Sequence, residues 1–118
     1  MRITEVHFDA GRPVEGYGPG FFRVGGVLHH GPLLILPGSG VTPWSGPPDL
    51  APILAGAAEI DVLFFGTGAE IAPLDPALRA LLEGAGLGVE TMATPPACRT
   101  YNVLLSEGRR IGAALLPV

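Results

Sequence analysis

The chain is built from short apolar runs divided by glycine- and proline-bearing breaks, and the runs separate into two periods. Leu33-Leu34-Ile35-Leu36, Ile60 to Phe65 and Ile111 to Leu116 are apolar almost throughout, as strands covered on both faces should be. Phe21 to Val24 and Val27 to His30 are β-prone and only Gly25-Gly26 separates them, which predicts a hairpin with a two-residue turn. Met1 to Ala10 alternates weakly and reads as an edge strand, followed by a glycine- and proline-rich loop over Gly11 to Gly20.

Helical spacing appears three times. Asp49 is placed to cap a short helix with Leu50, Ile53 and Leu54 on one face, where Pro52 is tolerated because it falls in the first turn. Asp75-Pro76 opens a second helix, with Leu78, Leu81, Leu82 and Ala85 in step until Gly84 and Gly86 stop it. Leu87 to Met92 then alternates like a strand and runs into Thr94-Pro95-Pro96. Threonine is a good N-cap and proline suits the first turn, so a third helix starts there with Ala97, Tyr101, Leu104 and Leu105 on one stripe. Gly108 fits its C′ position, with Arg109 and Arg110 beside the negative end. Pro37 to Pro48 is left as a long connection holding Trp44. The second half therefore reads strand, helix, strand, helix, strand, and the strands joined by the Asp75 helix should be parallel with a right-handed crossover. The fold class is α/β, in a single domain over residues 1–118.

Composition narrows the function. Glycine and proline are frequent, at 18 and 13 residues, but 47% of the chain is hydrophobic and only 15% charged, so a compact turn-rich domain is expected and not disorder. The net charge is −4 and no lysine is present. Nucleic acid is excluded as a partner, because scattered arginines do not make a phosphate-binding surface. P-loop, Schiff-base and pyridoxal chemistry are excluded with the missing lysine. Arg2, Glu5 and Asp9 break up any signal-peptide core, and no apolar run reaches the roughly 18 residues that span a bilayer. With a single cysteine, the expectation is a cytoplasmic protein that does not span a membrane.

Candidate chemistry gathers where strands meet helices. Gly66-Thr67-Gly68 and the Thr94 segment both follow strands, so parallel pairing would bring them to one carboxyl edge, where open α/β sheets bind ligands. Free N–H groups at the start of the Pro95 helix would favour an anion, with Arg99 adding charge. A dinucleotide fingerprint is excluded because its third glycine would fall at Ile71. Cys98, in the first turn beside Arg99, is a candidate nucleophile, against the plainer reading of a small buried hydrophobe. His29 and His30 are adjacent and point to opposite faces of a strand, so no metal site and no cofactor is expected. Trp44, with Phe21 and Phe22, is a candidate partner-binding surface, against closure of one end of the core.

Tyr17-Gly18-Pro19-Gly20, Leu36-Pro37, Trp44, Phe65 to Gly68, Met92, Thr94, Ala97 to Asn102, Glu107 to Arg110 and the closing Ala113 to Pro117 resemble a small domain family of unknown biochemical function. Its members include bacterial and archaeal single-domain proteins, the mitochondrial complex I assembly factor three and an adipogenesis-associated vertebrate protein. The resemblance implies a three-layer β+α/β/α fold with a small N-terminal β layer and a central mixed sheet whose last strand is antiparallel to the others. It implies no catalytic residue. Two functions follow as expectations. One is a non-catalytic, soluble protein that assists assembly of a membrane or respiratory complex through protein–protein interaction, a homodimer included. The other is a small-molecule or anion-binding protein, or an enzyme, with its site at Gly66, Thr67, Gly68, Thr94, Cys98 and Arg99.

Overall fold

The structure, a computed structural model, describes residues 12–118. The strand expected over Met1 to Ala10 lies outside the described residues. Three short strands, β1 (Gly16–Gly18), β2 (Phe21–Val24) and β3 (Val27–His30), form an antiparallel sheet in that order. The hairpin expected at Gly25-Gly26 is present: both glycines hold positive φ, 60° and 79°, and Val24 pairs with Val27. β1 rises inside the stretch expected to be loop, because Tyr17 finds Phe22 as its cross-strand partner.

The main sheet has the order β5-β4-β8-β6-β7. β4 (Leu33–Leu36) and β5 (Gly40–Pro43) are an antiparallel hairpin, so the connection expected over Pro37 to Pro48 contains a strand. Helix α1 (Ala51–Ala55) and a 3₁₀ turn at Ala57–Glu59 lead to β6 (Val62–Thr67). Then come α2 (Pro76–Gly84), β7 (Gly88–Met92), α3 (Thr94–Ser106) and β8 (Ile111–Leu116). β6 is parallel to both β7 and β8, while β8 is antiparallel to β4. The last strand is thus antiparallel to β4 alone, which corrects the expected direction. Helix α3 returns the chain across the sheet, so β8 starts at the same end as β6 and β7 and must run with them. The mixed character comes from the β4–β5 hairpin.

The apolar runs hide a period of two. Leu34, Leu36, Leu63 and Phe65 face one layer with Trp44, Ile53 and Leu82, from the α1 and α2 side. Leu33, Ile35, Phe64 and Leu115 face the other, with Tyr101, Ala97 and Leu105 of α3 and Phe22 and Val24 of the small sheet. This is the three-layer β+α/β/α arrangement, and all four residues of β4 are buried because both of its faces are covered.

The helix ends show which residues carry the caps. Asp75 caps α2 as expected, its Oδ1 accepting from the Ala77 N–H at 2.8 Å. Asp49 does not cap α1. Its carboxylate accepts from Ser45 Oγ at 3.0 Å, and Leu50 holds the N-cap position without a side-chain bond. At the end of α3, Gly108 has φ 78°, its N–H donates to the Leu105 carbonyl at 3.0 Å, and the Arg109 N–H donates to the Leu104 carbonyl at 3.1 Å. This two-bond closure needs a residue that tolerates positive φ at C′, and glycine supplies it. Arg110 turns to the 3₁₀ segment instead, donating to the Ala58 carbonyl at 2.9 Å and pairing with Asp61 at 3.5 Å.

Candidate functional site

Gly66 of β6 lies beside Met92 of β7 in parallel register, so the two segments singled out at the sheet edge do meet. Thr94 joins them. Its main-chain N–H donates to the Gly68 carbonyl at 2.8 Å, its Oγ1 accepts from the Gly68 N–H at 2.8 Å, and the same hydroxyl donates to the Leu116 carbonyl at 2.6 Å. One buried threonine thereby ties the carboxyl ends of β6 and β8 to the start of α3. A Cβ at Gly66 would fall 2.8 Å from Thr94 Oγ1 and 3.1 Å from Thr94 Cα, so only glycine leaves room for this approach.

Thr94 is not the N-cap of α3. Ala93 holds that position with no side-chain bond, because the threonine hydroxyl is directed across the sheet edge. The first turn of α3 also leaves no N–H for an anion. Thr94 donates to Gly68, Pro95 and Pro96 have no N–H, and Ala97 donates to the Ala93 carbonyl at 3.0 Å. Arg99 is exposed. Thr67 Oγ1 accepts from the Ala72 N–H at 3.0 Å and lies 2.8 Å from the Glu70 carbonyl and 3.2 Å from that of Met92, so it organises the loop leaving β6.

Cys98 is buried in the layer between α3 and the sheet. Burial pushes its thiol up to about 12, against a smaller lowering by the Arg99 guanidinium. A thiol held protonated by burial packs as a small apolar side chain. Trp44 is buried as well, edge-to-face with Phe65 at 5.6 Å, with Nε1 donating to the Asp49 carbonyl at 2.8 Å. Its indole therefore closes one end of the core. Phe22 is fully buried too.

Two α3 residues have a role that spacing alone did not reveal. Tyr101 Oη donates to the Arg12 carbonyl at 2.9 Å, and Asn102 bonds both main-chain groups of Val14 at 2.8 Å. Position 101 lies on the apolar stripe, and the only signal that could have found the pair is a polar group at the stripe's edge.

With this geometry in view, comparison with known proteins gives the lineage. The family model described as "Protein of unknown function (DUF498/DUF598)" matches residues 14–116. The chain belongs to this family. A Rhodobacter capsulatus member, named only as an uncharacterized protein, is 51% identical over 100% of this chain and 94% of its own length. The zebrafish NADH dehydrogenase [ubiquinone] 1 alpha subcomplex assembly factor 3 is 32% identical over 99% of this chain and 71% of its own. Among solved structures, a Bartonella henselae protein described as an outer membrane protein superposes with a TM-score of 0.83 at 37% identity, covering 95% of this chain and 99% of its own. These comparisons agree with the family resemblance read from the sequence, and the Bartonella henselae structure has the same fold as this chain.

Proposed function

We propose that this protein is a non-catalytic, cytoplasmic interaction protein that assists assembly of a membrane-bound respiratory complex. The observation that carries the reading is the similarity, along almost its whole length, to an assembly factor of NADH dehydrogenase. The sheet edge supports it from the other side. The groups there that look chemical, Thr67, Thr94 and Cys98, are engaged in holding strand ends or filling the core. Binding of a protein partner then falls to the outer surface, and fold alone does not choose it. The test is deletion of the gene with native-gel analysis of respiratory complexes. Loss of assembled NADH dehydrogenase, with its subunits still synthesised and restored by the gene in trans, is the expected result. Normal assembly in the deletion strain would remove the reading.

A further inference from the structure

β3 is an outer strand of the small sheet, and its pairing with β2 fixes which of its main-chain groups stay open. Val24 and Val27 flank a two-residue turn, so they exchange both hydrogen bonds, and the exchange recurs between Phe22 and His29. The Gly31 N–H continues the series on the Gly20 carbonyl at 2.9 Å. The N–H and C=O groups of Leu28 and His30 therefore point away from β2, and no strand among the described residues lies beyond them. The outer strands of the main sheet are guarded. Arg79 bonds β7 at Val89 and Thr91, and β5 ends in Pro43, which has no N–H. β3 carries neither a fixed charge nor a proline, and its Val27 and Leu28 are 56% and 46% exposed.

Charge divides the chain at the same place. Residues 12–30 hold two arginines, two histidines and one glutamate, whereas residues 31–118 hold eight acidic residues and four arginines. That one glutamate, Glu15, accepts from the Gly26 N–H at 2.9 Å, at the hairpin turn. Phe22 and Val24 face the core, so Arg23 stands on the solvent face directly beside Leu28, and Phe21 and His30 follow on that face with their rings 6.3 Å apart. We infer that β3 receives an acidic, extended segment of a partner protein as a fourth strand, bonded to the outward main-chain groups of Leu28 and His30. Its apolar side chains lie on Leu28 and its carboxylates face Arg23 and His30, so main-chain bonds hold the segment and charge selects it. An anionic bilayer would leave those main-chain groups without partners. A second copy is the wrong charge. The register that joins the outward groups sets His29 against His29 and brings two Arg23 side chains to one face, with no carboxylate between them. The contact rests on the reading of the protein as an interaction partner and gives that partner its chemistry.

Three measurements test it. In the protein alone, the Leu28 and His30 amides should exchange with solvent at least about tenfold faster than those of Val27 and His29, because only the latter pair is bonded to β2. Equal protection would show the edge already covered and overturn the site. Isotope-labelled protein is then titrated with a capped hexapeptide alternating valine and glutamate. Saturable shifts of the Leu28 and His30 amides are expected, with binding about tenfold weaker for the glutamine version of the peptide. Arg23→Gln should weaken the glutamate peptide and leave the glutamine peptide unchanged, and N-methylation of the peptide along the side facing β3 should abolish binding. Indifference to N-methylation or to glutamate overturns the site, as do shifts with phosphatidylglycerol vesicles and none with the peptide, or a concentration-dependent dimer through these same amides. Finally, Leu28→Pro removes an N–H that β2 does not use, and the variant is placed in a strain lacking the gene. Restored NADH dehydrogenase assembly by Leu28→Pro overturns the strand site and leaves the assembly reading standing. Normal assembly in the deletion strain, with the peptide still bound by wild type, removes the assembly reading and keeps the strand site.

Discussion

Asn102 and Val14 exchange two hydrogen bonds across 88 residues of sequence: the Val14 N–H donates to Asn102 Oδ1 and Asn102 Nδ2 donates to the Val14 carbonyl, each at 2.8 Å. A side-chain amide here does what a neighbouring strand would do, offering one donor and one acceptor to an extended main chain. Together with Tyr101 and the Arg12 carbonyl, it fastens the segment leading into β1 onto α3. The small sheet is thereby anchored by hydrogen bonds as well as by the packing of Phe22 and Val24.

Asn102→Leu should therefore destabilise the fold by about 2 kcal/mol, because the two main-chain groups of Val14 lose their partners together. Urea unfolding measures it. Asn102→Asp, which keeps the acceptor and loses the donor, should fall between wild type and leucine. A leucine variant as stable as wild type would show that water replaces the amide without cost.

The Thr94 junction makes a sharper prediction. Thr94→Val keeps the shape and removes the hydroxyl, leaving the Gly68 N–H and the Leu116 carbonyl unpaired at a buried site, for a loss of about 2–4 kcal/mol. Thr94→Ser should recover most of it. Gly66→Ala should cost about 1–3 kcal/mol by forcing a methyl against Thr94. Since both changes strike one contact, the double variant should be less destabilised than the sum of the two. Strict additivity in thermal or urea unfolding would refute the shared contact.

These two clusters show what could be read before any coordinates. The hairpin at Gly25-Gly26, the buried run Leu33 to Leu36 and the closing strand Ile111 to Leu116 were legible because local turn chemistry and unbroken apolar runs specify them. β5 was not, because Gly40-Val41-Thr42-Pro43 has loop composition and becomes a strand only by pairing with β4. The meeting of Gly66 with the Thr94 segment followed from strand parallelism. The use made of it did not, since a hydroxyl at a strand–helix junction serves equally well as a cap, a ligand group or a tie between strands. Trp44 was ambiguous for a similar reason: it sits in a polar, proline-rich stretch, and only its packing on Phe65 shows which way the ring turns.

Cys98 gives a pH prediction whose sign is fixed. Burial raises the folded-state pKa from 9.0 to about 12, so above pH 9 the unfolded chain loses a proton that the folded chain keeps. Stability is fully present below pH 9 and declines from there toward pH 12, with a slope of up to about 1.4 kcal/mol per pH unit from this group. The Tyr101 phenol, also pushed up by burial, adds a decline of the same sign at higher pH. Cys98→Ala should remove the cysteine part of the slope, at the expense of some packing. In the native protein the thiol should react with iodoacetamide only as fast as the protein opens. Rapid alkylation at pH 8 under native conditions would contradict the burial and reopen a nucleophilic role.

Arg79 yields the last prediction. β7 is the outer strand of the main sheet, next only to β6. From α2, the Arg79 guanidinium donates to the Val89 carbonyl at 3.1 Å and to Thr91 Oγ1 at 3.3 Å, and Glu83 holds it in place at 3.5 Å. A charged group bonded to an edge strand both satisfies its acceptors and discourages another strand from pairing there. The bonds are partly exposed, so Arg79→Ala should cost no more than about 1 kcal/mol. Its larger effect should be on self-association: sedimentation at rising concentration should show more oligomer for Arg79→Ala than for wild type, with Arg79→Lys in between because one flexible ammonium cannot reach both acceptors at once. If Arg79→Ala remains as monodisperse as wild type while losing only stability, the arginine fastens α2 to β7 and does not guard the edge.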